Sequence, residues 1–178
     1  MRRLTRTAAL ILLIALSIAP ACKRRPKAKQ TAAAETSAAG EASTVNMADP
    51  RYASQLLKGF HNIEFNSWRW TQKDFAVSLS PPANAAQNGA ILLLQGTIPD
   101  VVLKTLQSLT LSATLDGLAL NPEHYTTAGA FSYRREIPAD HLRAPKVTVE
   151  FSLDKALEPG ADSRQLGLIV SQVGLEVK

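Results

Sequence analysis

Both tryptophans of the chain lie in one stretch, Gly59-Phe60-His61-Asn62-Ile63-Glu64-Phe65-Asn66-Ser67-Trp68-Arg69-Trp70. Trp68 and Trp70 are two residues apart, a spacing that on a strand turns both indoles to one face. With Glu64, Arg69 and His61 close by, these are groups that could stack on a sugar ring and hydrogen-bond its hydroxyls. A second reading is open for the same residues. Trp is usually largely buried, so the indoles could plug one end of a core, with Arg69 pairing Glu64 and His61 a structural hydrogen-bonder. The two readings differ in how exposed Trp68 and Trp70 are.

Other chemistry is not signalled. The chain has no G-x-S-x-G or S-x-x-K nucleophile motif and no Gly-rich phosphate loop. Its three histidines, His61, His124 and His141, lack metal-ligand spacing. No catalytic residue, metal site or cofactor is expected, and no enzymatic activity. The single cysteine excludes an intramolecular disulfide framework.

That cysteine, Cys22, ends the other informative stretch. Arg2, Arg3 and Arg6 precede an apolar run that continues to Ala21. From Ala8 the run is 14 residues, short of the roughly 20 that cross a hydrocarbon core as a helix. Charge, apolar run and small residues in that order are the parts of a cleaved signal peptide. Ala19-Pro20-Ala21-Cys22 resembles the lipobox of bacterial lipoproteins. The resemblance implies acylation of Cys22 and cleavage just before it, leaving a lipid-anchored envelope protein that faces the periplasm. Several buried acyl chains, at about 0.8 kcal/mol per CH₂, would hold it firmly on a membrane. Lys23 behind the cysteine resembles outer-membrane sorting. An ordinary signal peptide and a retained short anchor are the alternatives. The anchor is favoured by the basic run Lys23, Arg24, Arg25, Lys27 and Lys29.

The formal charge of +5 comes from this N-terminal part, because eight of the 20 Lys and Arg precede Gln30. From Pro50 onward, twelve basic residues face twelve acidic ones. A neutral domain leaves no electrostatic footprint for nucleic acid. Gln30 to Ala48 is rich in Ala, Ser, Thr and Glu without apolar periodicity and is predicted to be a disordered linker. The organisation expected is a signal peptide over 1–21, acylated Cys22 with a linker over 22–49, and a domain over 50–178. A chain starting at Pro50 is expected to fold on its own.

Within that domain a short helix is predicted at Pro50 to Gly59, with Tyr52, Leu56 and Leu57 on one face. Strands follow. Phe75, Val77 and Leu79 alternate with small residues up to Pro81-Pro82, and Ala90 to Ile98 is a continuous apolar run. Pro99 to Gln107 suits a helical turn. Leu109, Leu111, Ala113 and Leu115 alternate into Asp116-Gly117 and Leu118-Ala119-Leu120, a hairpin signature. Further strands are predicted at Phe131 to Arg135, Val147 to Leu153 and Leu166 to Val177, with a turn at Ala139 to Leu142. The fold class expected is all-β, an antiparallel β-sandwich of jelly-roll type with short helical turns.

A G-F-x-x-x-E start (Gly59, Phe60, Glu64) with Arg69-Trp70, then Arg164-x-Leu166-Gly167-Leu168-Ile169-Val170-x-x-Val173-Gly174-Leu175, resembles jelly-roll modules appended to bacterial cell-envelope glycosyltransferases. Such modules are similar to carbohydrate-binding sandwiches. The resemblance implies a binding domain for a glycan or an envelope partner, with Trp68, Arg69, Glu64 and His61 as the candidate ligand-binding residues. It also implies a buried Trp70 beside a more exposed Trp68. The alternative is a structural or assembly lipoprotein that recognises no sugar. Arg164 is also open to a bland reading, an ion pair with Asp162.

Overall fold

The computed structural model describes residues 41–178. The expected signal peptide, Cys22 and the linker up to Gly40 lie outside the described residues. Nine strands follow one another: β1 (Thr44–Asn46), β2 (Leu56–Glu64), β3 (Trp68–Leu79), β4 (Ala90–Ile98), β5 (Leu109–Leu115), β6 (Leu118–Tyr125), β7 (Gly129–Ile137), β8 (Val147–Leu153) and β9 (Ile169–Val177). Two short helices, α1 (Ala85–Asn88) and α2 (Asp100–Leu106), and 3-10 turns at Pro50–Gln55 and Ala139–Leu142 connect them.

Every strand pairing is antiparallel. The hydrogen-bonded order is β6-β5-β8-β3-β9-β4-β7, with β1 added on β9 and β2 on β3. β3 belongs to both layers of the sandwich. Its second half, Asp74 to Leu79, pairs with β8, and its start, Arg69 and Trp70, pairs with β9. The sheet thereby folds over on itself, and its two inner faces meet. Tyr133 of β7 packs edge-on to Phe151 of β8 with ring centres 6.4 Å apart, and Phe151 stacks on Phe75 at 4.9 Å.

Period-two patterning places the core. Leu109, Leu111, Ala113 and Leu115 point inward, as do Val147, Val149, Phe151 and Leu153, and all eight are buried. The residues between them are polar and face outward. Arg135 closes the seam between β6 and β7. Its guanidinium donates to the carbonyls of Asn121 and Pro122 and to the Glu123 carboxylate, over the face of Tyr133. This occupies edge groups of β6, which would otherwise stand open to another chain.

The β5–β6 turn is the expected one, with Asp116 and Gly117 at φ 43° and 88°. A Cβ at Gly117 would meet nothing within 4 Å, so the only cost of a side chain there is its backbone conformation. Gly117→Val is expected to lose more than about 1 kcal/mol in a denaturant titration, because a β-branched residue at positive φ is strained.

Three expectations differ from the structure. The helix predicted up to Gly59 stops at Gln55, and Leu56 opens β2. The free edge of β3 offers Leu56 a ladder partner in Val77, and Leu57 is left 51% exposed instead of sharing a buried face. The last strand starts at Ile169 instead of Leu166. Before it, Gly167 and Leu168 donate to the carbonyl and hydroxyl of Thr71.

The domain also begins before Pro50. Thr44–Asn46 pairs with β9, the amide of Leu175 donates to Ser43, that of Met47 donates to Ser171, and Val45 and Met47 are buried to 0% and 1% exposure. β9 needs this partner because β3, which pairs with it only at Arg69 and Trp70, begins at Trp68 and does not reach Gln172 to Gly174. Gly174 permits the close approach, since a Cβ there would lie 2.5 Å from the Thr44 hydroxyl. Upstream of β1, Ala42 and buried Gln55 exchange hydrogen bonds, and Gln55 also donates to the Ser78 carbonyl.

Candidate functional site

β2 and β3 form a long hairpin closed by Phe65 and Asn66. Both have positive φ, 50° and 52°, and the Ser67 amide donates to the Glu64 carbonyl at 3.0 Å. Asn is common at such a position, but a bulky aromatic is a genuine outlier there. A side chain held in this region costs of order 1–3 kcal/mol. Phe65 is nevertheless left 85% exposed.

From this tip an aromatic series runs inward. The Phe65 ring lies 5.6 Å from that of Trp68, tilted by 41°, and Trp68 meets Trp70 edge-on at 6.2 Å. Trp68 is half-buried against the core and Trp70 is buried, at 8% exposure. The two indoles share a face as their spacing requires, and the expected split in exposure is present.

Glu64 is the cross-strand partner of Trp68 and so stands on the same face. Its carboxylate accepts from Arg164 Nη1 at 2.6 Å, while Arg164 Nε and Nη2 donate to Asp162. This charge-assisted fork holds the Asp162 carboxyl down to about 2, and both carboxylates in turn raise the guanidinium. The fork pins the exposed loop 158–163 to the tip of the hairpin. The loop closes on an isolated bridge in which Leu157 and Leu166 exchange backbone bonds. Beside it lies an apolar groove of about 300 Å³, floored by Trp70 and walled by Val101, Leu157, Ala161 and Leu166, with Arg164 on one side.

Arg69 and His61 are placed differently. Arg69 neighbours Trp68 in a strand and therefore points to the opposite face. There it donates to the carbonyls of His61 (2.8 Å) and Met47 (3.3 Å), and burial lowers its pKa. It does not pair Glu64, as the core-plug reading had expected. His61 Nε2 lies 2.8 Å from the Gln165 carbonyl, which can only accept, so this nitrogen carries the proton. Of the four sequence candidates, Glu64 and Trp68 come together, while Arg69 and His61 tie the hairpin to the start of the domain and to the loop. Phe65 and the Glu64–Arg164 bond were not foreseen. The ion pair of Arg164 with Asp162 was. Among the described residues, no group of three His, Cys, Asp or Glu side chains is placed to hold a metal ion.

The elements define an antiparallel β-sandwich with an aromatic, hydrogen-bonding end. No protein-family model and no curated protein sequence matches this chain. Among solved structures it is similar to a family 35 carbohydrate-binding module from Clostridium thermocellum, at 10% identity and a TM-score of 0.44 over 75% of this chain and 98% of that one. A carbohydrate-binding module of specific mannan recognition, TmCBM27, aligns at 14% identity and a TM-score of 0.43 over 78% of this chain and 97% of that one. A family GH115 4-O-methyl-α-glucuronidase aligns at 12% identity and a TM-score of 0.43 over 78% of this chain, which spans 18% of that enzyme. At such values no ligand or activity passes from these proteins to this chain.

Proposed function

We propose that the chain is a glycan-binding β-sandwich, held on a bacterial envelope membrane through acylated Cys22, whose ligand lies across Phe65 and Trp68. The observation that carries this is Phe65, an aromatic ring kept exposed at the tip of a hairpin in a backbone conformation unfavourable to it. Strain of this kind collects at ligand-contacting positions. Behind it are a second ring, Trp68, and the carboxylates of Glu64 and Asp162 around the Arg164 guanidinium. An apolar surface with a few convergent polar groups is the usual make-up of a small-molecule site.

A glycan array on the domain starting at Glu41 tests the binding. Retained glycans are expected, with Phe65→Ala and Trp68→Ala each weakening the best of them by about tenfold. Phe65→Ala should do so with a stability change under about 0.5 kcal/mol, as for an exposed position. An empty array together with capture of an envelope protein would favour the alternative, an assembly lipoprotein docking at the same end. Cys22→Ser is expected to move the protein from the detergent phase to the aqueous phase. Mass spectrometry of the mature N-terminus should find acyl chains only in the wild type, and an unacylated wild-type chain would contradict the anchor.

A further inference from the structure

The groove beside the aromatic shelf suggests which glycans suit it. Resting on the glycan-binding reading above, we infer that the ligand is an uncharged, N-acylated amino sugar, with its ring on Phe65 and Trp68 and its acyl group in the groove over Trp70.

The groove continues the shelf, since the Trp70 ring that floors it touches the Trp68 ring. Its volume of about 300 Å³ is at the lower limit for ligand sites, which run from about 300 Å³ upward. It therefore suits one sugar unit with a small substituent better than a long chain. Its walls, Val101, Leu157, Ala161 and Leu166, offer carbon atoms, and Val101 is 54% exposed. A hydroxyl buried against these carbon walls would lose its water without gaining a partner, whereas a methyl group loses nothing.

The polar side of the groove, where Arg164 stands with Asp162 and Glu158, is suited to an amide. A guanidinium has five N–H groups. In Arg164, Nε–H and one N–H of each terminal nitrogen are engaged by Asp162 and Glu64, which leaves two donors free for a carbonyl oxygen. An acetamido group carries that oxygen and the methyl together. Charge selects in the same direction. Glu64, Glu158 and Asp162 stand around Arg164, so carboxylates outnumber the guanidinium and an anionic sugar would meet net repulsion.

The test uses the full chain in a detergent without a sugar headgroup, titrated calorimetrically with β-1,4-linked tetramers. These are made of N-acetylglucosamine, glucose, glucosamine or glucuronate, which share a linkage and differ in substituent. One extra buried apolar carbon in a pocket is worth roughly tenfold or more. The N-acetylglucosamine tetramer is expected to bind at least tenfold tighter than the glucose tetramer, and the glucuronate tetramer more weakly than both. Val101→Gln, at an exposed position that should not disturb folding, is expected to abolish the preference of the N-acetylglucosamine tetramer over the glucose tetramer. Equal affinity for the acylated and plain tetramers overturns the inference and leaves the glycan reading standing. So does tightest binding of the glucosamine or glucuronate tetramer. Failure of all four to bind overturns the glycan reading itself.

Discussion

Trp70→Ala is expected to cost about 3–5 kcal/mol, the range of large aromatic deletions in a packed core. Trp70 is 8% exposed and stands where β3 crosses from one layer to the other, paired with Ile169 of β9. Removing its indole empties the floor of the groove and takes away the surface on which Trp68 rests. Total stability of a domain this size is only about 5–15 kcal/mol, so the variant should melt far below the wild type or fail to fold. Trp68→Ala, two residues earlier on the same face, is expected to cost under about 1 kcal/mol, because Trp68 is half-buried at the rim of the core and not enclosed in it. Thermal unfolding of the two variants side by side decides the matter. Similar losses for both would mean that the indoles act as one structural plug.

A second large effect is expected from the start of the domain. A chain beginning at Pro50 lacks β1 together with Val45 and Met47, both buried. Fully burying side chains of this kind is worth about 1.5–3 kcal/mol each. The Gln55 amide, 4% exposed, loses both of its bonds to Ala42, and a buried polar group left unpaired costs about 1–3 kcal/mol more. Arg69 loses the Met47 carbonyl, and β9 regains an open edge. Loss of cooperative unfolding is expected for the chain starting at Pro50, and a normal melt for one starting at Glu41. Equal melts would show residues 41–49 to be dispensable.

These two regions mark what was legible in the sequence. β5 and β8 could be read directly, because one buried face and one wet face write a period of two into the residues. The β5–β6 turn was readable because Asp-Gly is suited to its two positive φ angles. β1 was not. Three residues are too few to display a period, and Val45 and Met47 stand alone among Ala, Ser and Thr. What makes them core residues is an edge of β9 that β3 does not reach, a fact of pairing far along the chain. The β2–β3 turn was hidden because Phe65-Asn66 lacks the glycine that normally signals it, and a Phe within apolar alternation passes for a strand residue.

The candidate site divides in the same way. Trp68 and Trp70 facing together followed from spacing alone. That Glu64 would bond Arg164 and not Arg69 could not be read, since those partners are 100 residues apart and meet only through the loop after β8. Arg69 was misplaced by proximity. In a strand, the neighbour of a site residue belongs to the other face, and there Arg69 holds backbone carbonyls of Met47 and His61.

The claim that the aromatic end is the glycan site is tested most directly by acrylamide quenching of tryptophan emission, with and without a saturating glycan from the array. In the free protein, one indole should be more accessible to this neutral quencher and one protected, corresponding to half-buried Trp68 and buried Trp70. Saturation with glycan should protect the accessible indole, and the Phe65→Ala variant should need a higher glycan concentration to reach the same protection. An indole that stays equally quenchable in the saturated protein would contradict the account, because the sugar would then be bound away from Trp68.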